Sequence, residues 1–489
     1  AQACGKAHGA RATLSLGART GRGPAGSARM SSHALPADPD DDCVPATITV
    51  TGRNKERENQ DLQGVYHRIK GLHHGRPAYR KVGATTCIRY WSPADRWLID
   101  REGLQESDTC NAYAEKCGSP HPAQEDIVWC VWETSHRAHV RDPELLVTSA
   151  PPSLQVIGRQ LGKENWALNG EYQLVGLRQG RVAYQKVNAQ HAIRYWGLGD
   201  RWLIDFEGLR DVDVCNAYAD ARGASHPGTP ELEWHVWDSA RSKHVQDNCL
   251  QCIVAPAVVE VVGREAPKEN VSMNGSYYLC GLHAGRPAYM KTDGSGHAIR
   301  YWPREDRWLL DLDGLRDADI CNAYAEARGG HYHPGSLDIV WNVWETSRGK
   351  HLTDDCVRSL IAPHSVRVSG RDPQKENAAL NGEYILHSIV EGKASYKKEK
   401  QNHVMRYWAS EDRWIIDLEA GYSGGDIANA YADAKGAEDP GSTELIWHVW
   451  ETSRGRHVID EDAVSEGQWL PPPDWSKADT ATDAMRGGA

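Results

Sequence analysis

His297-Ala-Ile-Arg-Tyr-Trp-Pro-Arg-Glu-Asp-Arg-Trp-Leu-Leu-Asp311 reads as two short strands joined by four residues, Pro303-Arg-Glu-Asp306, a common hairpin loop length. If that loop pairs Trp302 with Arg307, alternation places Ile299, Tyr301, Trp308 and Leu310 on one face. This is a core face. The other face then carries Arg300, Trp302 and Arg307, a stack of cation, indole and cation.

The same signature recurs along the chain. Arg-Tyr-Trp returns with its tryptophan at 91, 196, 302 and 408, at intervals of 105, 106 and 106 residues. Each period repeats eight aromatics, in the third copy Tyr277, Tyr289, Tyr301, Trp302, Trp308, Tyr324, Trp341 and Trp344, which explains how 489 residues hold 19 Trp and one Phe. A period near 105 residues is too long for a solenoid repeat and suits a small domain, so the reading is an array of separate modules. Ala-Pro pairs punctuate it at Ala150-Pro151, Ala255-Pro256 and Ala362-Pro363. The modules are placed at 45–148, 149–254, 255–361 and 362–460, after a disordered leader (1–44) and before a Pro-rich tail (461–489) that holds Trp469 to Trp475.

Outward from the hairpin, Val258 to Gly263 is β-branched, and the segment from Gly275 to Lys291 forms a hairpin around Gly285. Asp338 to Trp344 and Lys350 to Leu352 form another. Between these lies a stretch with a helical signature. Asp319 is a good N-cap, Ile320, Ala323, Tyr324 and Ala327 fall at i, i+3, i+4 and i+7, Arg328 sits in the last turn and Gly329 is placed to end it. Each module is therefore expected to be α+β, an antiparallel sheet of hairpins with one short helix.

In the closing strand Ile339, Trp341 and Val343 share a face, and Trp344 shares the opposite one with Asn342. Arg300, Trp302 and Trp344 are thus candidates to line an amphipathic groove, repeated at Arg89, Trp91 and Trp132, at Arg194, Trp196 and Trp237, and at Arg406, Trp408 and Trp450. The competing expectation is that the helix covers this face and the tryptophans are its packing surface. Asp306 with Arg307 reads as loop fixation and Asp319 as helix capping, since a calcium loop would need a glycine that is missing. The recurring His139, His244, His351 and His457 stand without a second ligand at metal spacing, and the pair His331 and His333 occurs once, so neither metal nor cofactor is expected.

Composition bounds the remaining classes. With 67 acidic and 56 basic residues the net charge is −11, which argues against a life spent neutralising nucleic-acid phosphates, and no apolar run is long enough for a membrane-spanning helix. The 12 cysteines do not occupy matching positions, Ala428 standing where Cys110, Cys215 and Cys321 stand, so they read as small buried hydrophobes of a reducing, intracellular compartment. Cys249 and Cys252, the C-x-x-C pair, lie between modules. Residues 1–37 are basic and acid-free, which leaves organelle targeting open beside simple disorder.

The strings Asn-Gly-x-Tyr, Gly-Arg-Pro-Ala-Tyr, Ile-Arg-Tyr-Trp and Asp-Arg-Trp-Leu-Ile-Asp make residues 45 to 460 resemble a tandem module common in predicted proteins of unicellular algae, dinoflagellates especially. The resemblance supports the module boundaries and transfers no catalytic residue. The fourth copy departs at Lys393 to Tyr396 and in the loop from Gly421 to Gly425. None of the hydrolase, zincin, P-loop or dinucleotide motifs is present, and four near-equivalent copies suit avidity. The expectation is a non-enzymatic multivalent binding or scaffold protein for a protein, peptide or glycan ligand. Two alternatives stay open: a lectin-like protein that stacks sugars on exposed tryptophans, and an enzyme with one diverged module.

Overall fold

Why each period folds as it does follows from its alternation, carried by β-branched and aromatic residues that fill a pleated, half-buried surface. The computed structural model describes residues 44–470 except 55, 115–117, 125–126, 161, 230, 328–331, 419–427 and 436. Nearly all of the leader, the tail beyond Leu470, Arg328, Gly329, His331 and the Gly421 to Gly425 loop lie outside the described residues. Each period forms one nine-stranded antiparallel sheet, and the chain is four such modules in tandem.

In the third module the strands are Val258–Val262, Gly275–His283, Arg286–Lys291, Ala298–Trp302, Arg307–Asp311, Ala323–Glu326, Trp341–Glu345, Lys350–Thr353 and Arg358–Leu360. The first eight run as a meander, each hydrogen-bonded to the next, and the ninth pairs with the free edge of the first. Eighth and ninth strands are thus the two sheet edges, yet the turn between them is residues 354–357. The sheet must roll into a half-barrel to bring its edges that close. Inside the roll lie Val259, Val261, Tyr277, Tyr289, Ile299, Trp308, Leu310, Ala323, Ala325, Trp341 and Val343, all buried.

A Gly-Arg pair after the first strand holds the seam. Gly263 has φ +94°, and a Cβ there would lie 1.9 Å from the carbonyl oxygen of Cys356, so glycine alone lets the edges meet. Arg264, buried, donates to Asp354 Oδ2 at 2.6 Å and pairs with Glu345, tying the first strand to the last two of the meander. Arg53 with Asp142, Arg159 with Asp247 and Arg371 with Asp460 repeat the tie.

The register Trp302 to Arg307 is observed, and Ile299, Tyr301, Trp308 and Leu310 are core. The α+β class is corrected. Helical elements among the described residues are three-residue 3-10 turns, and the expected helix is largely replaced by the strand Ala323–Glu326. Its apolar residues satisfy two periods at once. Ala323, Ala325 and Ala327 are fully buried at alternate positions, while Ile320, needed for the helical face, is 60% exposed on the preceding loop. Packing decides in favour of the strand, because Ala325 stands directly between Trp308 and Trp341 in the register and only a small residue fits there. Asp319 caps nothing and pairs with Arg307 instead.

The fourth sheet takes its ninth strand from Val464–Gln468, beyond the boundary read at 460. Consecutive modules share apolar contacts: Ile157 and Ile253 join the core of the third, and Val262 and Leu360 that of the fourth. Residues of the first, third and fourth modules, among them His67, Leu337 and His387, line one cavity of about 1470 Å³. The modules are therefore packed on one another. No helix among the described residues is long and apolar enough to cross a membrane.

Candidate functional site

The recurring tryptophans divide into two sets. Trp97, Trp129, Trp202, Trp234, Trp308, Trp341, Trp414 and Trp447 are sealed inside the four rolls. The other set, the eight candidate residues, lies on the outer face.

Within each module the sheet separates its two candidate tryptophans. Trp302 ends the fourth strand beside Arg307, whereas Trp344 sits on the seventh strand opposite His351, at the other end of the outer face. The loop between the fifth and sixth strands is held by Arg300 of the fourth strand. That guanidinium is fully buried and donates to the carbonyl oxygens of Ala318 at 2.6 Å and Ile320 at 3.1 Å, with Asp311 at 3.4 Å. Arg89 and Arg194 hold the corresponding loops through Ser107 and Thr109, and through Val212 and Val214. Arg406 is buried likewise. So in the first three modules the expected cover on this face is a loop rather than a helix, and Arg89, Arg194 and Arg300 lie beneath it. Their indole neighbours remain close: Arg194, Arg300 and Arg406 stand 6.0, 5.8 and 5.3 Å from the ring centroids of Trp196, Trp302 and Trp408. Trp302 is buried, while Trp91, Trp196 and Trp408 are half-buried.

Around the second tryptophan the structure assembles a cluster that repeats four times. Trp132, Trp237, Trp344 and Trp450 pack edge-on against His139, His244, His351 and His457, with centroids 5.3, 5.2, 5.1 and 5.2 Å apart. Each histidine also meets a tyrosine ring edge-on, Tyr113, Tyr218, Tyr324 or Tyr431, at 4.9 to 5.0 Å. Over each tyrosine lies an arginine, Arg96, Arg201, Arg307 or Arg413, at 4.4, 4.5, 4.9 and 4.4 Å. Every arginine is then neutralised by an aspartate: Asp108, Asp220, Asp319 or Asp433.

Hydrogen bonds fix the histidines. A carbonyl oxygen can only accept, so Nε2–H donates to the backbone of Cys110, Cys215, Cys321 or Ala428, at 3.2, 3.2, 3.2 and 2.9 Å, which leaves Nδ1 with the lone pair in the neutral ring. Burial holds His139, His244 and His351 below the ordinary imidazole value. It also pushes the adjacent thiols up, to about 12 for Cys110 and Cys215 and about 11 for Cys321, so they stay protonated at neutral pH and are poor nucleophiles. The second and fourth modules add a second ring, His235 and His448 stacking on Tyr218 and Tyr431 within 7° of parallel. Behind the cluster Asn165, Asn270 and Asn377 each donate to the carbonyl of Trp237, Trp344 or Trp450 at 2.9 Å, pinning the strand that bears the indole.

The nine described cysteines form no disulfide, and Cys252 of the C-x-x-C pair is buried in a ninth strand.

The sequence reading named these tryptophans and missed their partners. The signal was present: with Glu345 counted to the strand, Thr346-Ser-Arg-Gly349 is a four-residue hairpin loop, and the pairing rule applied there sets Glu345 against Lys350 and Trp344 against His351.

No family model matches the chain, and no curated protein matches it. Among solved structures it is similar to a mosquitocidal holotoxin, at 9% identity over 88% of this chain and 68% of that one, with a TM-score of 0.10. It is similar to a putative 6-phosphogluconolactonase from Bacteroides fragilis, at 6% identity over 88% and 98%, with a TM-score of 0.13. A protein from Lactobacillus plantarum gives 7% identity over 87% and 98%, with a TM-score of 0.12. Likenesses this slight carry no argument about fold or activity.

Proposed function

We propose that the chain is a non-enzymatic, multivalent binding protein whose modules each offer the outer Trp, His, Tyr and Arg cluster to a protein or peptide partner. The recurrence of that cluster in every module, with the Trp to His centroid distance varying only between 5.1 and 5.3 Å, is the observation that carries the reading. An amphipathic indole beside a ring nitrogen and a neutralised guanidinium offers apolar area with few charges to desolvate, the composition that protein contacts favour. Four weak contacts of this kind on one chain gain affinity through effective concentration. A peptide is favoured over a sugar because Trp302 ends the fourth strand and Trp344 lies on the seventh, so the two indoles of a module do not stand side by side as a paired stacking platform.

The test uses the full chain. With Trp132, Trp237, Trp344 and Trp450 all changed to Ala, binding to peptide-array hits falls by ~10²-fold or more, while any single change has a modest effect. Capture of glycans instead of peptides would favour the lectin-like alternative. Unchanged binding by the quadruple variant ends the proposal.

A further inference from the structure

The first module differs from its copies at the apex of the hairpin between its second and third strands. That turn is His73-His74-Gly75-Arg76, where the others read Arg178-Gln179, His283-Ala284 and Val390-Glu391. Successive side chains of a strand point to opposite faces. Here His74 has φ +49°, a turn conformation repeated at Gln179, Ala284 and Glu391, and the two imidazoles come together, 4.6 Å between centroids. Glu106, from the loop after the fifth strand, completes the group: Oε1 lies 3.4 Å from His73 Nε2 and Oε2 lies 3.0 Å from His74 Nε2.

One nitrogen of this group is left without a partner. His73 Nδ1–H donates to the carbonyl of Tyr90 at 3.1 Å, so in the neutral ring Nε2 carries a lone pair. That nitrogen is buried and has no hydrogen-bond partner, on a side chain only 10% exposed, and the nearest polar atom is a carboxylate oxygen. His74 differs: a carboxylate oxygen can only accept, so its Nε2–H donates to Glu106 Oε2 at 3.0 Å and its Nδ1 accepts from Ser92 Oγ at 2.9 Å, a proton that a metal at Nε2 would displace to Nδ1, where Ser92 Oγ can accept it. Three atoms able to ligate a metal, one from each side chain, lie within 4.8 Å of one another. Ligands on a single zinc at ~2.0–2.1 Å sit about 3.3 Å apart, and the two imidazole-to-carboxylate distances, 3.4 and 3.0 Å, lie on either side of that value. The tied Nδ1 atoms are the outer hydrogen bonds that metal-binding histidines use to fix ring and tautomer.

We infer that His73, His74 and Glu106 form a binding site for a zinc-class divalent transition-metal ion, present in the first module alone. Glu106 is 78% exposed, so the ion faces solvent on that side and keeps at least one position for water or for a ligand from a partner. Trp91 lies edge-on to His74, centroids 4.9 Å apart, which joins the site to the outer tryptophan of its module. The inference is independent of the binding role proposed above.

The experiment titrates the metal-free full chain with Co²⁺, followed by its visible d–d absorption, and measures bound Zn²⁺ by equilibrium dialysis. Wild type should hold one equivalent that His74→Gln removes. Glutamine occupies this position in the second module, so the variant should fold, and an unchanged thermal transition checks that it does. Ser92→Ala, alanine being the fourth module's residue, should weaken Zn²⁺ about tenfold through loss of the outer hydrogen bond. His139→Gln should leave the stoichiometry unchanged. If wild type and His74→Gln bind the same number of ions, or wild type binds none, the cluster is an imidazolium–carboxylate pair and the inference fails.

Discussion

Arg300 and Arg304 both stand 5.8 Å from the ring of Trp302, and they have opposite roles. Arg304 is exposed, and its cation contributes at most ~0.5–1 kcal/mol at such a ring. Arg300 is buried with Asp311 and carries a loop on its guanidinium. Arg300→Met is therefore expected to destabilise the third module by ~1–3 kcal/mol, because the carbonyls of Ala318 and Ile320 lose their donor and buried Asp311 loses one of its two cations. Arg304→Ala should cost under ~1 kcal/mol. Differential scanning calorimetry of the full chain checks this: a lowered first transition for the former variant and an unmoved one for the latter. Equal, small effects would mean that Arg316, which also pairs with Asp311, suffices alone.

At the scale of elements, the sixth strand shows how much of the fold was legible. The hairpin loop from Pro303 to Asp306 fixed its own register, since four residues leave little choice, and the fourfold period was visible in its tryptophans. The sixth strand was misread because its alanines meet both periods, and the deciding contact, Trp308 and Trp341 on either side of Ala325, lies outside its own sequence. Its alanines are spacers. Ala325→Leu should overpack the roll and cost ~1–3 kcal/mol, whereas Glu326→Leu, on the exposed side of the same strand, should stay within ~0.5 kcal/mol. Thermal denaturation of the two variants separates them. In the expected helix, with Ile320, Ala323, Tyr324 and Ala327 inward, both positions would face outward and both changes would be mild. The outer cluster was half legible. Strand alternation yields Trp344, but the tyrosine and arginine come from strands whose order only the completed sheet reveals.

For the whole molecule, the contact between the third and fourth modules contains a titrating pair. Glu260, buried on the first strand of the third module, accepts from Ser276 Oγ at 2.8 Å and faces His364 Nδ1 at 3.6 Å, an ion-pair distance. Glu260 and the field of Glu383 hold His364 above the ordinary imidazole value, against the opposing effect of burial. A raised folded-state pKa means that this stabilisation is complete below about pH 6.5 and is lost as pH rises through the folded value. The thermal midpoint should thus fall more steeply between pH 6.5 and 8.5 in wild type than in His364→Gln; identical slopes would show that the pair contributes nothing. Since the third and fourth modules also share Val262 and Leu360, loss of this pair should loosen the contact without separating them.

Because the ninth strand of every module hydrogen-bonds to its first, the polypeptide arrives at and departs from each roll on adjacent rungs. A gene segment copied between those points adds a closed unit with its own seam and leaves the neighbours' ladders intact. Growth by duplication is then geometrically easy, and the number of modules is a quantity that natural variation can raise or lower while each roll keeps its shape.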